Sequence, residues 1–169
     1  MLKKILFALL VLFVLIQFIH PARNEGNDQT FAMNKVYPIP ADVNKSLSLA
    51  CYDCHSNSTR YPWYSKIQPV AWFMANHIEN AKRRLNFSEY TNRRMAFQNH
   101  KFEEIIENVE KDMMPLGSYT LIHKDAILTD DQKKSIINWA QSQMDSIKNR
   151  YPADSLVMPK RPTGSPSTK

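Results

Sequence analysis

Residues 51–65 read Cys51-Tyr52-Asp53-Cys54-His55-Ser56-Asn57-Ser58-Thr59-Arg60-Tyr61-Pro62-Trp63-Tyr64-Ser65, and the first five contain both cysteines of the 169-residue chain. C-x-x-C-H is the attachment pattern of a c-type haem. Two thiols add to the porphyrin vinyl groups, and the adjacent histidine is then held beneath the ring as the proximal iron ligand. Other chemistries use part of this pattern. A thioredoxin-like redox pair needs a βαβ context, and none is visible around residues 40–90. A zinc site needs a second ligand pair, and no further cysteine pair or H-x-x-x-H follows. A disulfide between cysteines three apart closes a small, strained loop that stabilises little.

Such a group sets a demand on the fold: an apolar slot between helices, open to the iron from both faces. The rest of the chain meets it with helical patterns. Three glycines in 169 residues disfavour a turn-dense β fold. Asp42 is a candidate N-cap for a short helix over residues 43–50 that delivers Cys51. Val70, Ala71, Phe73, Met74, His77, Ile78, Ala81 and Leu85 recur at helical spacing, with Pro69 in the first turn. Ser88 is a candidate cap for one or two helices over residues 89–112, with Ile105, Ile106 and Val109 facing inward. Thr129 and Gln132 form a capping box for a last helix, whose buried stripe is Ile136, Ile137, Trp139, Ala140, Met144 and Ile147. The expected fold is all-α: a small c-type cytochrome-like helical domain.

Residues 2–19 are almost wholly apolar after Lys3 and Lys4, with Gln17 the other polar residue. A run of about 18 apolar residues suits a transmembrane anchor. It also has the layout of a signal peptide, but it is long for an h-region and no A-x-A site follows. We therefore expect an uncleaved signal anchor over residues 1–20, a linker over 21–40, a haem-binding domain over 41–150 and a disordered tail over 151–169. Lys3 and Lys4 favour a cytoplasmic start. The domain then faces the periplasm from a single-pass inner-membrane anchor, where covalent attachment operates. Beyond those two lysines, 20 basic residues oppose 16 acidic ones. That bias is too small for a nucleic-acid binder. A membrane through the N-terminal helix and an unidentified redox protein are the expected partners.

His55 supplies one axial ligand. Met113-Met114-Pro115 lies past a helix at the start of a loop, where a thioether can turn to the iron, and Pro115 stiffens the backbone beside Met114. Met114 is the expected second ligand, so the expected metal ligands are His55 and Met114. Met113, His77 and His123 are the competitors; His77 on its apolar stripe also reads as a hydrogen-bonded core residue, and His100 as an exposed one. Tyr61, Trp63, Tyr64 and Trp72 suit either a haem pocket or ordinary core. Within the group, Trp63 is carried forward as a cofactor-binding residue, and Arg60 as a partner for a propionate.

The stretch from Cys51 to Tyr64 resembles the opening of the bacterial haem-binding domain family of small, N-terminally anchored c-type cytochrome-like proteins. Leu85-Asn86-Phe87-Ser88 resembles a second block, and Met114-Pro115, Tyr119, His123, Leu128-Thr129 and Trp139 resemble a third. Residues 80–83 read Asn-Ala-Lys-Arg where that family pattern has a Gly-Arg pair. The resemblance implies covalent haem, a helical fold and an extracytoplasmic location, and it places Met114 at the family's M-P element. It implies no reaction. One-electron transfer is the expected function, with a haem-based gas or redox sensor or ligand-binding module as the alternative. A peroxidase would need an acid–base pair beside an open iron, and none is evident, so no enzymatic activity is expected.

Overall fold

A computed structural model describes residues 1–159. Seven α-helices follow in order: α1 Leu2–Ile16, α2 Ala41–Ala50, α3 Tyr52–His55, α4 Val70–Arg84, α5 Met95–Glu110, α6 Gly117–Thr120 and α7 Asp130–Arg150. Short 3-10 turns join them, and the described residues contain isolated β-bridges but no strand. The domain is all-α, as its sequence periodicity implies.

The core lies where α5 packs along α7 and α2 crosses α7. Ile136, Trp139, Ala140, Met144 and Ile147 of α7 are buried, which is the face its spacing marks. Phe102 of α5 is fully buried, with ring centroids 5.0 Å from Tyr37, 5.4 Å from Tyr90 and 5.6 Å from Trp139. The aromatic edges that carry polar atoms are satisfied. Trp139 donates to Pro38 O at 2.9 Å, Tyr37 to Gln98 Oε1 at 2.6 Å and Tyr90 to Gln98 O at 2.6 Å. Phe102→Ala removes the ring shared by three others, and we expect a loss of about 4 kcal/mol in urea unfolding. A loss below about 1 kcal/mol would contradict this placement of the core.

Helix boundaries follow local chemistry, with two shifts from expectation. Thr129 and Gln132 form the reciprocal capping box of α7. α2 instead begins after Pro40, with Asp42 inside its first turn, where a carboxylate favours the positive end of the helix. α5 begins after Arg94 rather than at Ser88. Ser88 is buried and its hydroxyl accepts from Asn57 N at 3.1 Å and Gln29 Nε2 at 3.0 Å, so it ties loops together.

The N-terminal half corrects the sequence reading twice. First, no helix among the described residues is long and apolar enough to cross a membrane. The 15 residues of α1 extend about 22 Å, against about 30 Å of hydrocarbon in a bilayer. The helix stops because the amide of Gln17 bonds back to Phe13 O at 3.0 Å while its Oε1 accepts from Gln68 N at 2.9 Å. Pro21 also disfavours helix at the residue before it. Second, the 21–40 segment is no free linker. Asn24 exchanges backbone bonds with the 56–61 loop: its O accepts from Thr59 N at 2.9 Å and its N donates to Tyr61 Oη at 2.7 Å. Gly26 lies so close to this loop that a Cβ there would sit 3.3 Å from Asn57 O. Ala32, Met33 and Tyr37 are core residues. At the other end, Tyr151 and Leu156 pack partly against the core, and a 3-10 turn covers Ala153–Leu156, so the expected tail is ordered there. The remainder of that tail, 160–169, lies outside the described residues.

Candidate functional site

Helix α2 ends at Ala50 and the chain turns at once into α3. Cys51 O accepts from Cys54 N at 3.1 Å and His55 N at 2.9 Å, which closes one helical turn. Residues three apart on such a turn share a face, so Cys51 and Cys54 stand side by side. Both thiols are free and partly covered. Burial pushes Cys51 up to about 12, with Cys54 adding to the effect, and pushes Cys54 up to about 11, with Asp53 adding. The thiols are therefore protonated at neutral pH. The attacking species in disulfide chemistry is the thiolate, so this environment disfavours closing the pair on itself.

His55 is prepared for a metal by its neighbour. Its Nδ1 lies 3.0 Å from Leu85 O, at the end of α4. A carbonyl can only accept, so Nδ1 carries the proton and Nε2 keeps its lone pair. Burial lowers the affinity of His55 for a second proton, more than the bonds to Leu85 and Ala81 raise it. The ring is thus neutral, in the tautomer that metal-bound histidines adopt, oriented by a backbone carbonyl. Phe87 N donates to His55 O at 2.8 Å, and Asn86 Nδ2 donates to Asn57 Oδ1 at 2.8 Å. The Leu85–Ser88 block is the bracket that holds the attachment turn.

A second brace comes from Asp53, between the two cysteines. Its carboxylate accepts from Arg60 Nε at 3.0 Å and from Tyr119 Oη at 2.8 Å, and its carbonyl accepts from Thr59 Oγ1 at 2.6 Å. Arg60, the expected propionate partner, here donates to Asp53 and to Ser48 O and so braces the turn. Trp63 is 75% exposed and touches Tyr64 edge-on at 5.8 Å. The Tyr64 hydroxyl lies 2.6 Å from His123 Nε2.

The methionine loop is brought to the attachment turn by Tyr119. Met114 is half-buried directly after α5, its N–H donating to Asn108 O at 3.2 Å, while Met113 is exposed. Five residues on, Tyr119 reaches Asp53, and the His123 ring stacks on it at 4.3 Å. His123 is thereby occupied with Tyr64 and Tyr119. His77 bonds Phe73 O at 2.9 Å within its own helix, and His100 pairs with Glu103 and Glu104. Of the competing ligands, the histidines all have partners in the fold. The sequence reading did not assign Asp53 or Tyr119 their bracing role. Asp53 stands inside the motif at a position the motif leaves free, so its partner 66 residues away had no local signal.

These residues fit a haem. A turn presents two neutral thiols, an imidazole offers Nε2, and a tethered loop carries Met113, Leu116 and Ile127 with large apolar areas uncovered. Among the described residues no group of three or more His, Cys, Asp and Glu could hold a bare metal ion. A flat apolar ligand that brings its own iron suits that donor set. A family model described as a haem-binding domain matches residues 11–142. No curated protein matches the chain, and no solved structure does.

Proposed function

We propose, from the premise that this chain belongs to the haem-binding domain family, that it holds one haem covalently through Cys51 and Cys54 and carries single electrons. The observation behind this reading is the His55 ring, fixed on Leu85 O at 3.0 Å beside two cysteines on one helical turn. The haem supplies a one-electron couple; the residues decide its surroundings. His55 presents Nε2 as the proximal ligand. Met114 is the residue we assign as second ligand, and a thioether there raises the potential. With two protein ligands no position is left for a substrate, so no catalytic role is proposed. Attachment of this kind belongs outside the cytoplasm, and we place the domain there, held to the membrane by α1. All but one side chain of that helix are exposed, and a continuous apolar surface of this kind marks contact with lipid or protein.

The optical spectrum tests the carrier reading. We expect low-spin iron in both oxidation states, with the weak red sulfur-to-Fe(III) band. High-spin iron that binds CO rapidly when reduced would instead identify a sensor or ligand-binding module.

Tyr119 is the positioning residue of this arrangement. Its hydroxyl ties the methionine loop to Asp53 and is itself held protonated, chiefly by burial and then by that bond. A hydrogen bond to a carboxylate contributes about 2 kcal/mol. In Tyr119→Phe we expect the red band to survive at neutral pH but to titrate away about one pH unit earlier on the alkaline side. An unchanged titration would show that the loop is held by other contacts.

A further inference from the structure

The join between α1 and the domain is built around one buried side chain. Gln68 is completely buried. Its backbone N–H donates to Gln17 Oε1 at 2.9 Å, its Nε2 donates to Ile19 O at 2.6 Å, and its Oε1 accepts from Trp72 N at 3.3 Å. One side chain thus clasps the end of α1 to the start of α4. Around this clasp, large apolar side chains point into open space: Trp63, Ile67, Val70, Trp72 and Phe73 are all exposed. In an ordinary helix Val70 and Phe73 would face the core; here only Ala71 and Ile78 of α4 are buried.

His55 bonds Leu85, past the end of α4 opposite to Ile67, Val70, Trp72 and Phe73. Continuity with α1 accounts for these four. This patch begins where the apolar surface of α1 ends, and the Gln17–Gln68 clasp keeps the two together. Tryptophan rings favour the headgroup level of a bilayer, and a lysine such as Lys66 can extend its ammonium to water from there.

We infer that the first turn of α4 and the turn before it form a second membrane contact, seated in the lipid interface beside α1. This rests on the membrane attachment of α1 proposed above. The domain is then held in a fixed pose, not swung on a tether.

The test uses the full-length holoprotein in phosphatidylcholine nanodiscs doped with a lipid bearing a photoactivatable carbene precursor on its acyl chain. After irradiation, mass spectrometry maps the labelled peptides. We expect label on residues 2–19 and also on 63–73. Gln68→Ala should keep the first and lose most of the second. The paired change Val70→Ser and Phe73→Ser, at exposed positions, should also lose the second while leaving the haem spectrum unchanged. Label confined to 2–19 would overturn the inference and leave the attachment by α1 standing. Crosslinking of 63–73 to a second copy of the chain would also overturn it. Absence of label on 2–19, or a mature chain that begins after them, would overturn the attachment and the inference together.

Discussion

A chain carrying Cys51→Ala and Cys54→Ala, made in cells with cytochrome c maturation, should release all its haem on acid–acetone extraction, whereas the parent chain keeps its colour through the same treatment. The expected change is complete loss, because no other thiol exists in the sequence to substitute. Each single variant should retain one thioether and shift the haemochrome band toward the red, since one vinyl group stays conjugated. The prediction separates attachment from binding. His55 remains in the double variant, so some haem can still associate without a covalent link. A double variant that keeps colour after extraction would mean that the thiols do not anchor the group.

Met114→Ala should give the second large effect. Removing the thioether takes away the ligand that stabilises Fe(II), so the red band disappears and the potential falls. The reduced protein should then bind CO rapidly, because the vacated position has no competing donor. His123 is held by Tyr64 at 2.6 Å and stacked on Tyr119 at 4.3 Å, and His77 is bonded to Phe73 O. Met113→Ala, its exposed neighbour, should change none of these readings. If Met113→Ala abolishes the band and Met114→Ala does not, the ligand is the adjacent residue and the tether through Tyr119 sets a different register. If neither does, the iron is held by another group.

The helices that build the core were legible because their signals are local. The capping box at Thr129 and the spacing of Ile136, Trp139, Ala140 and Ile147 need nothing outside α7 to be read. The C-x-x-C-H turn was legible for the same reason. Where the reading failed, the deciding contact was distant. The 21–40 segment looks like a polar stalk, yet Asn24 finds Thr59 and Tyr61 across more than thirty residues of sequence. The α1 run was read as long enough to span, but the turn at Gln17 is set by a backbone amide at Gln68. The apolar residues of α4 were read from their helical spacing; Ala71 and Ile78 are buried, whereas Val70 and Phe73 are exposed.

The most direct measurement is the intact mass of the denatured full-length chain, matured where haem ligation operates. The expected result is the polypeptide plus one haem, with the added mass localised by digestion to the peptide holding Cys51 and Cys54 and an absorption spectrum typical of two saturated vinyl groups. A polypeptide of unmodified mass from the same cells would contradict covalent attachment and remove the basis for His55 and Met114 as its axial ligands.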